Sequence, residues 1–77
     1  MKRDSAKVLK IFSDMQRERL DLHVMFESSG NEPAERARVL DAVDDLVGEG
    51  LLQSAGGDFY MLTDKGKQAL TTLEPAR

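Results

Sequence analysis

The sequence predicts an α+β, mainly helical domain, with three helices, a two-stranded β-hairpin and a C-terminal helix. Three observations carry that expectation. Val8, Leu9, Phe12 and Met15 recur at the spacing of one helical stripe. A stretch opened by Pro33 keeps helical apolar spacing until Gly48 and Gly50. After it, two short apolar runs flank Gly56-Gly57, and Thr63 introduces a last helix.

Helix 1 is expected over residues 5 to 18, capped by Asp4 or Ser5, with Met15 in its buried stripe and Lys10 and Asp14 forming an exposed i,i+4 pair. Leu20 stands where a very short strand leads into helix 2. Asp21 caps that helix, because its carboxylate can accept from amides the first turn leaves unpaired, and Leu22, Met25 and Phe26 follow at i, i+3 and i+4. Ser28, Ser29, Gly30 and Asn31 end it with turn chemistry.

Helix 3 starts at Pro33, after Asn31 or Glu32 as cap, and its expected buried stripe is Val39, Val43, Leu46 and Val47, with Leu40 on the margin. Leu51-Leu52 begins the first hairpin strand, Ala55 to Asp58 form the turn, and Phe59 to Leu62 return as the second. Thr63 caps helix 4, expected through Leu70, with Asp64 near its positive end, and the tail from Thr72 to Arg77, which contains Pro75, is expected to fray, residues 73 to 77 lying outside the ordered core.

Composition narrows the chemistry. The 77 residues suit one small domain, residues 1 to 77 with an ordered core of about 5 to 72. The absence of cysteine excludes disulfides, cysteine-ligated zinc and a thiol nucleophile. His23 is the only histidine and has no second ligand patterned around it, so no metal or cofactor is expected. Gly48, Gly50, Gly56 and Gly57 lack the spacing and lysine of a phosphate-binding loop, and Ser28 and Ser29 have no base beside them, so no catalysis is expected. No apolar run reaches the roughly 20 residues of a membrane span, and no signal-peptide core is evident, which suggests a cytoplasmic protein.

The net charge of −3 is unevenly spread. Lys2, Arg3, Lys7, Lys10, Arg17 and Arg19 make the first 20 residues basic, whereas Glu35, Asp41, Asp44 and Asp45 outnumber Arg36 and Arg38 in the third helix.

The phrase LVGEGLL followed by FYMLTDKGKQAL, set behind three helices, resembles the winged helix-turn-helix regulators of the MarR and PadR type, over roughly residues 5 to 72. By that resemblance Leu46, Gly50 and Leu51 are the helix-to-wing joint. Tyr60, Leu62, Thr63 and Gly66 are the strand-to-helix junction, with Gly66 allowing close backbone approach. Helix 3 is then the recognition helix, with Glu35, Arg36, Arg38, Asp41 and Asp45 outward. The resemblance implies a regulator or accessory factor that binds double-stranded DNA; one small module with few phosphate contacts gains little affinity at physiological salt, so a homodimer or a protein partner is expected. The chain departs from the pattern in having no long dimerisation helices and no cation in the wing between Gln53 and Asp58.

On this reading the DNA-facing residues are Glu35, Arg36, Arg38 and Asp41, because a bidentate arginine reads guanine and a carboxylate accepts from cytosine. Lys2, Arg3, Lys7, Lys65 and Lys67 are phosphate contacts, which fix register without encoding sequence. Ser54, Ala55, Gly56, Gly57 and Asp58 form the wing tip. Each has a plainer alternative: the arginines pair with Glu32, Glu35 or Asp41, and the lysines serve solubility. The rival function is a protein-interaction module, one variant being an inhibitor or DNA mimic, that docks a basic protein on Asp41, Asp44 and Asp45 or on the wing.

Overall fold

The computed structural model describes residues 1 to 73, ordered as α1 (Arg3–Met15), β1 (Arg19–Asp21), α2 (Leu22–Ser29), α3 (Pro33–Gly48), β2 (Leu52–Ser54), β3 (Phe59–Leu62) and α4 (Asp64–Leu73). It is α+β and mainly helical. The sheet has three antiparallel strands in the order β1-β3-β2, not the two of a lone hairpin. The third is β1, which pairs Arg19 with Met61, Leu20 with Tyr60 and Asp21 with Phe59. It is the very short strand expected at Leu20, which anchors it by burying its side chain in the core; its pairing with β3 was not expected.

Helix α1 starts earlier and stops sooner than its stripe suggested. Its N-cap is Lys2, without a side-chain cap, and Ser5 is buried within the helix instead of capping it. At its other end Gln16 turns left-handed with φ 55°, which releases Arg17 and Glu18 to lead into β1. Met15, on the last turn, is therefore 44% exposed and not part of the core. Lys10 and Asp14 form no ion pair among the described residues.

Helix α2 begins as expected, with the Val24 amide donating to Asp21 Oδ1 at 2.9 Å. It ends at Gly30, whose φ of 109° is costly for any residue with a Cβ, and Asn31 (φ 60°) completes the turn into α3. Pro33 occupies the first turn of α3, where its missing amide proton costs nothing. The buried stripe is Val39, Ala42, Val43 and Leu46; Val47 instead lies on the flank, 38% exposed.

These side chains meet Val8, Leu9, Ile11 and Phe12 of α1, together with Leu20, Met25, Leu51, Leu52, Leu62 and Leu70, in one core. Phe26 and Tyr60 pack against its margin. The hairpin closes at Ala55–Asp58, where the Ala55 amide donates to Phe59 O at 2.9 Å and both glycines have positive φ. Helix α4 runs three residues beyond Leu70, where Leu73 packs against the core and the Thr71 and Thr72 hydroxyls donate to the carbonyls of Lys67 and Gln68. Thr72 and Leu73, assigned to a frayed tail, are thus helical, and residues 74 to 77 lie outside the described ones. No helix among the described residues is long and apolar enough to cross a membrane.

The end of α3, β2 and α4 meet at one joint. Thr63 Oγ1 donates to the carbonyls of Gly50 (2.6 Å) and Leu51 (3.1 Å) and accepts from the Gly66 amide at 3.0 Å. Gly66 is buried, and a Cβ built on it would overlap the Leu51 carbonyl oxygen. Overpacking against backbone has no flexible neighbour to yield, so Gly66→Ala should destabilise the fold by about 3 kcal/mol. Gly48→Ala, where the added carbon meets nothing within 4 Å, should not destabilise it. Urea denaturation of the two variants checks the contrast.

Candidate nucleic-acid interface

The side chains expected to face a ligand are sorted by the packing of α3. Its buried stripe turns Pro33, Ala34, Ala37, Asp41 and Asp44 to the opposite, exposed face. Arg36 and Arg38 project exposed from the first two turns, on either side of that face. Glu35 and Asp45 are half-buried on the α1 side, so neither is one of the outward-facing positions.

Both arginines have partners. Arg38 Nη1 donates to Glu35 Oε1 at 2.7 Å, and Arg36 Nε donates to Asn31 Oδ1 at 3.0 Å, with its guanidinium 5.8 Å from the centre of the Phe26 ring. These are exposed contacts. An i,i+3 pair of this kind contributes at most about 0.5 kcal/mol, so it orients the guanidinium without committing it.

Three of the five expected phosphate contacts are engaged within the fold. Lys2 Nζ lies 3.0 Å from Asp45 Oδ2, linking the start of α1 to α3. Lys67 Nζ pairs with Glu18 Oε1 at 3.0 Å, fastening α4 to the segment before β1. Lys65 Nζ donates to the Glu49 carbonyl at 3.0 Å, where a cation suits the negative end of α3. Arg3 and Lys7 form no ion pair among the described residues.

The spatial arrangement adds a residue that sequence order concealed. A groove of about 310 Å³ between α1, the end of α2 and the start of α3 is lined by Lys7, Lys10 and Arg38 together with Ser28, Ser29 and the carboxylates of Asp4, Asp14 and Glu35. Lys10 therefore stands with Lys7, one turn apart, beside the arginine-bearing end of α3. The signal was present in the three-residue spacing of Lys7 and Lys10. Only the packing of α1 on α3 brings that edge to Arg38.

The hairpin tip, Ser54 to Asp58, is remote from this groove and has no cation of its own. Nearby, Arg19 of β1 lies 4.7 Å from the centre of the Phe59 ring, a cation–π contact at the sheet edge. His23 pairs with Glu27 at 3.2 Å on the surface of α2. Among the described residues no group of three potential ligands is placed to hold a metal ion.

No family model, no curated protein and no solved structure matches the chain.

The Asp45 hydrogen bond and charge, reinforced by Asp41 and Glu49, raise the pKa of Lys2 above 10.5. The sign follows: the contact's contribution to stability is complete below 10.5 and is lost as pH rises through the elevated pKa. An NMR titration of the Lys2 side chain should place its midpoint above that of an isolated lysine. Asp45→Asn should move it back down.

Proposed function

We propose that this chain is a small winged-helix DNA-binding module, a transcriptional regulator or accessory factor, that presents the N-terminal end of α3 to duplex DNA. The observation that carries the reading is the convergence of Lys7 and Lys10 with Arg38 in one groove at that end of α3. The order of elements supports it as well, since α2 and α3 are joined by a short turn and followed by a hairpin whose second strand pairs with β1.

The proposed mechanism follows from charge and size. Ala34 and Ala37 on the outward face let the start of α3 approach the floor of a major groove closely. Arg36 and Arg38 flank it, and each can exchange an exposed protein partner for the acceptor edge of guanine at little cost. Lys7, Lys10 and Arg3 meet phosphates and set the register. Asp44 lies about 10 Å further along the helix than Ala37, so a tilted, end-on approach leaves it outside the contact.

So few phosphate contacts make the affinity of one module modest and strongly salt-dependent, and a second module or partner would strengthen it. Fluorescence anisotropy with a random duplex should detect binding at about 50 mM salt, declining steeply as salt rises. Replacing Lys7 and Lys10 with alanine should flatten the log–log salt slope by about 2, one unit for each lost phosphate contact. Arg36→Ala with Arg38→Ala should weaken binding while changing stability by about 0.5 kcal/mol or less. Absence of binding at the lowest salt, or a slope indifferent to the lysines, would refute the proposal.

A further inference from the structure

The other half of α3 has a different chemistry. Leu40 is 47% exposed and Val47 38%, two aliphatic side chains two turns apart on one flank of the helix. With Val43 between them, and with Ser54 and half-buried Tyr60 opposite each other on β2 and β3, they line an open depression of about 440 Å³. Asp41 and Asp44 form its rim. Neither makes an ion pair among the described residues: Lys2 lies against Asp45, with Asp41 adding only to its field, Lys65 donates to the Glu49 carbonyl and Arg36 to Asn31.

From this we infer that the depression between α3 and the hairpin docks a basic amphipathic helix of another protein, its apolar side chains covering Leu40, Val43 and Val47 and its lysines or arginines meeting Asp41 and Asp44. Apolar anchors spaced along one helix face are how a helix fills such a groove, and opposite charges at the rim fix its register. Two other occupants fit less well. A phosphate backbone would be repelled by both carboxylates and would leave the aliphatic surface wet. A second copy placed face to face would oppose its Asp41 and Asp44 to the first copy's. The outward basic edge of α1, with Arg3, Lys7 and Lys10, offers charge without an apolar stripe to cover Leu40. The surface is separate from the Lys7–Lys10–Arg38 groove and does not depend on duplex binding.

Two synthetic helical peptides of about five turns test the inference, both carrying leucines on one face, one with lysines and the other with glutamates elsewhere. Titrated into the isotopically labelled full chain, the lysine peptide should bind saturably, with amide shifts concentrated at Leu40, Asp44, Val47, Ser54 and Tyr60. The glutamate peptide should not bind. Asp44→Lys and Leu40→Ser should each weaken the lysine peptide about tenfold, a difference of roughly 1.4 kcal/mol. Equal binding of the two peptides, shifts centred elsewhere, or a wild-type dimer that Leu40→Ser dissolves would each overturn the inference. The two-peptide comparison needs only the wild-type chain, so it decides the matter even where a variant fails to fold.

Discussion

The close approach of α4 to the Leu51 backbone is the constraint on which the rest of the molecule depends. Leu51 lies three residues past the end of α3, with its amide donating to the Leu46 carbonyl at 2.9 Å, and its own carbonyl accepts from the Thr63 amide at 3.2 Å. Gly66 lets the first turn of α4 lie against that carbonyl, and the Thr63 hydroxyl bridges the two sides. Because Thr63 directly follows β3, the same few atoms set where the hairpin leaves α3. Leu62, at the end of β3, also donates its amide to the Glu18 carbonyl at 2.8 Å, so β1 is tied into the same frame.

With α3 held in that frame, its surface divides along its length. The N-terminal end has small outward residues and two arginines whose present partners are weak and exposed, and α1 brings Lys7 and Lys10 alongside. The C-terminal half presents aliphatic side chains beside carboxylates, next to a hairpin without cations. The division is one of side-chain type more than of net charge, because Asp4, Asp14 and Glu35 line the same groove as Lys7, Lys10 and Arg38. The internal lysine pairs sharpen it further. Lys2, Lys65 and Lys67 have exposed acceptors on other elements, whereas Arg3, Lys7 and Lys10 of α1 form no ion pair among the described residues.

Most of the helical framework was legible in the sequence because its signals are local. Pro33 starts α3, Asp21 caps α2, and Gly30, Gly56 and Gly57 take the positive φ their turns require. Features set at a distance were not legible. The very short strand at Leu20 was legible, but its place as a third strand was not, because its partner β3 lies some 40 residues away. Met15 and Val47 have the spacing of core residues, but each sits at the end of a helix where the neighbouring element has turned away. Ser5, a fitting cap by type, is buried because the helix begins before it. The engagement of the lysines is likewise a product of tertiary placement, with Lys2 and Asp45 separated by 43 positions.

If the joint holds α3, the hairpin and α4 as one rigid unit, its amides should open only when the whole molecule does. Native-state hydrogen exchange of Leu51, Leu62, Thr63 and Gly66 measures this most directly. The account predicts that all four exchange with the free energy of global unfolding, together with core amides such as that of Leu46. A joint that exchanged at much lower free energy than α3 would show the hairpin hinging independently, and would contradict the fixed frame on which both proposed surfaces rest.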